Sequence, residues 1–271
     1  MASELLKRSE VKEEYTWNLK DMYATQEDWE QELKDISEII DRVAAFEGKA
    51  AENAQNLFTV LENLAKAGEK LDKAYNYAER LFDEDQTNTT HQAMSAKAYS
   101  AYASCGSKTA FVDPEIIAIP ENVLETFYKE VPGLELYRKQ IAEIRRMKEH
   151  CLSSEMEKLL AMTAEMSQTP ADTFSILNNA DLVFPEIKDE NGESVRITHG
   201  RYGQFLQSSD RRVRKEAFEK LYQTYKQFLN TSASLYGGNI KQQVFHAKAR
   251  NYVSSLECAV DANHVSSSVY H

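Results

Sequence analysis

The sequence predicts an all-α fold with one short β-hairpin near residues 182–198. Three observations carry that prediction. Glycine and proline are scarce, nine and five in 271 residues, which argues against collagen, Pro-rich linkers and turn-dense β sandwiches. Apolar residues recur at spacings of three and four along most of the chain, the period of one helix face. One interval departs from that rule: residues 182–185 and 195–198 flank Lys188-Asp189-Glu190-Asn191-Gly192, two short extended runs across an Asn-Gly turn.

The elements follow in order. Thr25 ahead of Asp28 reads as a helix start, and Trp29, Leu33, Ile36, Ile40 and Val43 then form one apolar stripe ending before Gly48. A second helix is expected over about 53–66, carrying Leu57, Leu61 and Leu64 and stopped by Gly68. A third carries Leu71, Tyr75, Ala78 and Phe82 and ends in the polar stretch 83–88, and a fourth runs from Thr90 toward Phe111. Asp113-Pro114 and Pro120 break the pattern, so residues 116–119 read as a short buried linker.

Helical periodicity resumes over 121–130 and, past Pro132-Gly133, over 134–149. Ser154 and Glu157 have capping-box spacing, with Met156, Met162 and Met166 expected as a core stripe. Thr169-Pro170 reads as the start of the next helix, which Phe174 and Leu177 continue. Ser209-Asp210 opens the strongest helix, with Val213, Ala217, Leu221, Tyr225, Phe228 and Leu235 on one face and Gly237-Gly238 as its candidate interruption. Neither an internal repeat nor a low-complexity tract is present. Three intervals are expected: a helical bundle over 1–112, a region with the hairpin over 113–200, and a third over 201–271.

Charge and cysteine usage narrow the function. A formal net charge of −11 repels phosphate backbones, so no nucleic-acid partner is expected. Cys105, Cys151 and Cys258 are odd in number and far apart, which reads as free thiols in a reducing, cytoplasmic setting. The first 15 residues are charged throughout, unlike a secretory signal, and no apolar run has the length of a membrane span.

Most catalytic signatures are missing. Among the six histidines no two lie four positions apart, so the His-Glu-x-x-His helix that grips a hydrolytic zinc is absent. Gly-x-Ser-x-Gly and Gly-rich phosphate loops are absent too. His91, within Thr89-Thr90-His91-Gln92, reads as solvated. Cys105 and Cys258 read as small core fillers, the alternative being a nucleophile. Arg196, Arg201, Arg211, Arg212, Arg214 and Lys215 form a basic cluster, read either as a salt-bridged helix start or as a surface for carboxylates.

Several longer motifs resemble oligoendopeptidase F. They are Phe184-Pro185-Glu186-Ile187-Lys188-Asp189-Glu190-Asn191-Gly192, Ile197-Thr198-His199-Gly200-Arg201-Tyr202, Ser209-Asp210-Arg211-Arg212-Val213-Arg214-Lys215-Glu216-Ala217-Phe218, and Phe245-His246-Ala247-Lys248-Ala249-Arg250-Asn251-Tyr252. Near the start, Arg8-Ser9-Glu10-Val11 and Tyr15-Thr16-Trp17-Asn18-Leu19 resemble the family's opening segment. The resemblance implies a cytoplasmic zinc metallopeptidase, related to thimet oligopeptidase, that cleaves short peptides in a channel. It implies that the N-terminal half forms one wall and that zinc is held by a His-Glu-x-x-His helix and a later Glu in the C-terminal half.

No position here matches those ligands. The chain is therefore expected to be an N-terminal, non-catalytic region, truncated before the zinc site and inactive alone. Its expected partners are short peptides and a C-terminal catalytic half. The alternative is a non-enzymatic helical module that binds peptides or proteins. Candidate interface or channel residues are His199, Arg201, Tyr202, Arg211, Arg250 and Tyr252, with the hairpin and residues 199–202 expected near the boundary between halves.

Overall fold

A computed structural model describes residues 8–271; the first seven residues of the charged N-terminal segment lie outside them. The chain is mainly helical. Three short 3-10 turns precede α1 (Gln26–Ala44), α2 (Ala54–Glu84), α3 (Thr89–Thr109), α4 (Val112–Ala118), α5 (Glu121–Glu130), α6 (Arg138–Arg146), α7 (Ser154–Met162) and α8 (Ala164–Ile176). A π-helical turn, Leu177–Asp181, leads to β1 (Glu186–Lys188) and β2 (Ser194–Arg196). After them come α9 (His199–Leu206), α10 (Arg211–Gln227), α11 (Leu229–Ala249), α12 (Ser255–Asp261) and α13 (Ser267–Tyr270). Two compact units result among the described residues, one from residues 18–168 and 241–271, the other from residues 169–240 with residues 8–17.

In the larger unit the first apolar stripe does what its spacing predicts. Thr25 and Asp28 close a capping box, the Thr25 hydroxyl accepting from the Asp28 N–H and the Asp28 carboxylate from the Thr25 N–H, which satisfies two otherwise orphaned donors. Trp29, Leu33, Ile36, Ile40 and Val43 are all buried. The Trp29 indole N–H donates to the Ala74 carbonyl at 2.9 Å, tying α1 to α2. After α1 the chain turns at Gly48, whose φ of +77° favours glycine. The Glu115 carboxylate from α4 accepts the backbone N–H groups of Gly48 and Ala50 at 2.6 and 2.8 Å, which pins that turn.

Local signals mislead at several points here. Gly68 does not stop a helix: α2 is one rod of 31 residues running through it. Leu64, Ala67 and Leu71 on either side pack into the core, and that burial outweighs the cost of about 1 kcal/mol for a helical glycine. Nothing lies within 4 Å of a Cβ built on Gly68. Gly68→Ala should therefore raise the unfolding free energy by about 0.5–1 kcal/mol, read from a chemical denaturation midpoint; a lower midpoint would contradict an unstrained helical site.

Residues 116–119 are not a linker. Residues up to Ala118 are helical in α4, with Ile116 and Ile119 buried; Pro114 lies in the first turn, where backbone N–H groups have no helical partner anyway. The cap of α7 is Ser153, not Ser154, its hydroxyl accepting from the Met156 N–H. The Met156, Met162 and Met166 stripe is not core: these side chains are 57%, 66% and 69% exposed; α7 ends at Met162 and buries Glu157 and Leu160 instead, and Met166 belongs to α8, which buries none of its residues. His91 is half-buried and not simply solvated.

The smaller unit is organised by the hairpin. β1 and β2 pair antiparallel with Ile187 opposite Val195, and the turn places Gly192 at φ +81°. The Asp189 carboxylate accepts the Asn191 and Glu193 N–H groups, both at 2.8 Å. The strands sit slightly later and earlier than the apolar runs at 182–185 and 195–198 suggest. Phe184, Ile187 and Ile197 join Val213, Ala217 and Leu221 of α10 in one core.

Two helix boundaries also differ from the sequence reading. The long helix opened by Asp210 breaks at Phe228, between α10 and α11, and α11 continues through Gly237-Gly238. A Cβ on Gly238 would lie 3.3 Å from Cγ of Pro170, so that glycine makes room for a neighbouring ring and not for a kink. Pro170 lies inside α8 and does not start it; packing against Gly238 offsets part of the lost backbone hydrogen bond.

Candidate functional site

The larger unit contains a cavity of about 650 Å³, within the range of small-molecule sites. Its walls come from α2, α3, α4, α6, α7 and α11. Leu61, Leu64, Val112, Ile117, Ile144 and Leu160 supply an apolar side, and Asp113, Cys151, Glu157, Gln242, His246 and Arg250 a polar one. Gln242, His246 and Arg250 recur every four residues, which places them on one face at the end of α11.

Glu157 and Arg250 anchor the polar side. Glu157 is only 9% exposed, and its two carboxylate oxygens accept Arg250 Nη1 and Nη2 at 2.8 and 2.7 Å. The Leu152 N–H donates to the same carboxylate at 2.9 Å. Arg250 Nη1 also donates to the His150 carbonyl at 3.2 Å. Burial pulls the Arg250 pKa down, but the Glu157 bonds outweigh it and hold the guanidinium above its ordinary value. Such a two-pronged pair needs arginine's planar donors.

Around this pair the titratable groups are displaced from their usual ranges. Asp113 is open to the cavity yet surrounded by protein, and desolvation, then the Glu157 charge, raise its carboxyl pKa against the opposing pull of Arg250. Burial, reinforced by Glu157 and Asp113, pushes the Cys151 thiol to about 11. Burial first, and Arg250 second, lower the His246 pKa. Cys105 and Cys258 are also raised, chiefly by burial, so all three thiols are poor nucleophiles at neutral pH.

A polar network adjoins the pair. His150 stacks on Tyr252 with centroids 3.6 Å apart and planes 8° from parallel. Its Nδ1 lies 2.8 Å from the Arg250 carbonyl; a carbonyl only accepts, so Nδ1 carries the proton. The Tyr252 hydroxyl donates to Asp261 at 2.8 Å, and Arg146 donates to the other oxygen of that carboxylate at 2.8 Å. The Arg146 bond, more than the Tyr252 bond, holds Asp261 below the usual carboxylate range.

The six residues singled out in the sequence separate into two groups. Arg250 and Tyr252 meet in this network. The other four belong to the smaller unit. There the His199 ring stands edge-on to Phe184 with centroids 5.2 Å apart, and Nε2 lies 3.3 Å from the Asn178 carbonyl. Tyr202 packs on the hairpin core. Arg201 gives its backbone N–H to the Thr198 cap at 3.1 Å, and Arg211 is exposed at the start of α10. Much of the basic cluster is locally paired: Arg212 with Asp210 and Glu216, Lys215 with Glu219, and Arg214 with the Ser208 and Ser209 carbonyls.

Sequence reasoning passed over Asp113, Glu157 and Gln242 as site residues. The four-residue recurrence of Gln242, His246 and Arg250 was a usable signal; Asp113 had only its position within the apolar run Phe111–Ile117 to mark it. Among the described residues no three His, Cys, Asp or Glu side chains are grouped so as to hold a metal ion.

Comparison with known proteins places the chain. An N-terminal M3 peptidase profile described as Oligopeptidase F matches residues 115–184. Oligopeptidase PepF of Bacillus subtilis is 40% identical over 269 residues, 99% of this chain and 40% of that protein. The chain is similar to oligopeptidase F along nearly its whole length. Group B oligopeptidase PepB of Streptococcus agalactiae is 37% identical over 97% of this chain and 44% of its own length. In three dimensions the crystal structure of oligoendopeptidase-F from Enterococcus faecium matches with a TM-score of 0.86 and 39% identity, over 90% of this chain and 47% of that one. The chain thus spans 40–44% of the length of these two curated oligopeptidase F relatives. No helix among the described residues is long and apolar enough to cross a membrane.

Proposed function

We propose that this chain acts as the N-terminal, non-catalytic region of an oligoendopeptidase F-like zinc metalloendopeptidase. It walls the channel in which short peptides are cleaved and docks on a catalytic half. The observation that carries this reading is the likeness to PepF along 99% of the chain while matching 40% of that protein. Zinc does not fit this chain's own residues: no metal-holding group exists among those described, and the sequence has no His-Glu-x-x-His. The family's metal is therefore assigned to the catalytic half. In this reading residues 1–112 and 113–200 are scaffold and residues 201–271 begin the peptidase domain. His199, Arg201, Tyr202, Arg211, Arg250 and Tyr252 serve the channel or the docking surface, in the cytoplasm.

The test is reconstitution. The chain, a separately produced catalytic half bearing a His-Glu-x-x-His helix, and zinc are assayed singly and mixed on a quenched short peptide. Hydrolysis should need the mixture. Turnover by this chain alone that survives repurification, or a mixture no faster than the catalytic half by itself, would overturn the proposal.

A second reading, a helical peptide- or protein-binding module, is favoured by Met156, Leu159, Met162 and Met166, all more than half exposed. A run of exposed apolar side chains is characteristic of binding surfaces. Calorimetric titration of short peptides into the chain, with no catalytic half present, separates the two: tight binding supports the module.

A further inference from the structure

We infer that the cavity of the larger unit is a binding site for an organic cation, a ligand with one ammonium or guanidinium head on an apolar body. The inference does not depend on the peptidase reading, because it concerns only groups that line this cavity.

Two acceptors in the wall have no donor. Gln242 Oε1 is buried without a hydrogen-bond partner, and an unsatisfied buried carbonyl costs about 1–3 kcal/mol. No group among the described residues donates a hydrogen bond to the Asp113 carboxylate; only the charges of Glu157 and Arg250 act on it. The Glu157 carboxylate beside it already accepts from Arg250 and from the Leu152 N–H. Among the described residues Arg250 is the only fixed cation lining the cavity, and both of its terminal nitrogens already donate, to Glu157 and the His150 carbonyl.

Charge balance points the same way. With Asp113 ionised, two carboxylates face one guanidinium, so one negative charge is left over. His246 does not compensate, since burial and Arg250 disfavour its protonation. Burial is the first cause of the raised Asp113 and Cys151 titrations, and the neighbouring carboxylate charges add to it in the same direction. A single positive head carrying N–H donors would neutralise that charge and supply donors to the Asp113 carboxylate, with the Gln242 amide in the same wall. The apolar half of the wall, Leu61, Leu64, Ile144 and Leu160 among others, suits a hydrocarbon body. A neutral ligand would satisfy Gln242 but leave the charge, and an anion would meet two carboxylates.

The pH dependence follows from the groups that face the cavity: Asp113 on α4, Cys151 and Glu157 at α7, and His246 and Arg250 at the end of α11. A cation favours ionised Asp113. Affinity should therefore fall as pH drops through that residue's raised titration range, with a proton released on binding there. Protonation of His246 at low pH acts in the same direction.

The probes are n-pentylammonium and n-pentylguanidinium, with n-pentanol as the neutral isostere, titrated into the full chain by calorimetry at pH 8 and pH 5. Acetyl-Leu-Lys-amide forms a second arm, distinguishing a free amine from a basic side chain within a peptide. Saturable binding of a cation in either arm is expected, weaker at pH 5 and about tenfold or more weaker in Asp113→Asn. Gln242→Met, which keeps volume and removes the acceptor, should also weaken it, and thermal melts establish that each variant folds. Equal binding of n-pentanol and the cations, no binding in either arm at millimolar concentration, or unchanged affinity in both variants would overturn the inference.

Discussion

Trp29→Ala should destabilise the larger unit by about 4 kcal/mol, the largest effect expected of any single core truncation in this chain. Trp29 is fully buried, at 0% exposure, in a core shared with Leu33, Ile36, Ile40, Leu71 and Ala74. Truncation to Cβ leaves a void that α1 and α2 cannot close without abandoning their own stripe contacts, so the transfer and cavity penalties add. The indole N–H to the Ala74 carbonyl at 2.9 Å is lost as well. Trp29→Phe separates the two contributions: it keeps most of the ring volume and removes the donor, and should cost only about 1–2 kcal/mol. Both are read from chemical denaturation with a probe in α1 or α2. A loss below 1 kcal/mol for the alanine variant would mean that this core is not tightly packed.

Arg250→Ala should cost about 3 kcal/mol, more than its partly exposed position suggests. The reason lies with its partner. Glu157 is buried and takes both prongs of the guanidinium at 2.8 and 2.7 Å, so removing Arg250 leaves a carboxylate supported by one backbone donor, the Leu152 N–H. The His150 carbonyl also loses a donor at 3.2 Å. Adding Glu157→Gln to the alanine variant should recover part of the loss, since a neutral amide is far cheaper to bury than an unpaired charge. Arg250→Lys should fall between the wild type and alanine, keeping the charge but not the fork. If Arg250→Ala is as stable as wild type, the pair is not the anchor of the cavity wall.

Legibility from sequence divides along physical lines. The Thr25–Asp28 cap, the stripe from Trp29 to Val43 and the Asn191-Gly192 turn were readable because each is local. A capping box spans four residues, a helix face repeats every three or four, and a hairpin turn needs a residue tolerant of positive φ. Gly68, Pro114, Pro170 and the pair Gly237-Gly238 were misread for the complementary reason. Local propensity there amounts to about 1 kcal/mol for glycine and about 3 for proline, and contacts from distant chain decide whether it is outweighed. Met156, Met162 and Met166 were the right residues for a core stripe, yet the helix breaks between Met162 and Met166, and the packed face of its first part carries Glu157 and Leu160.

The site shows the same division more sharply. The family resemblance was legible, because the motifs from Phe184 to Tyr252 are contiguous text. The cavity was not, because its key partners are far apart: Glu157 and Arg250 are separated by 93 positions, and Asp113 comes from another helix altogether. The sequence alone determined the mainly helical class, the Thr25 cap, the first apolar stripe, the hairpin and the family resemblance, all of which depend on short-range periodicity or on runs of neighbouring residues. Only the tertiary structure decided which polar side chains share a buried space and which of them are left without partners. Burial and charge coupling are properties of what surrounds a group, and most of those surroundings come from distant parts of the chain.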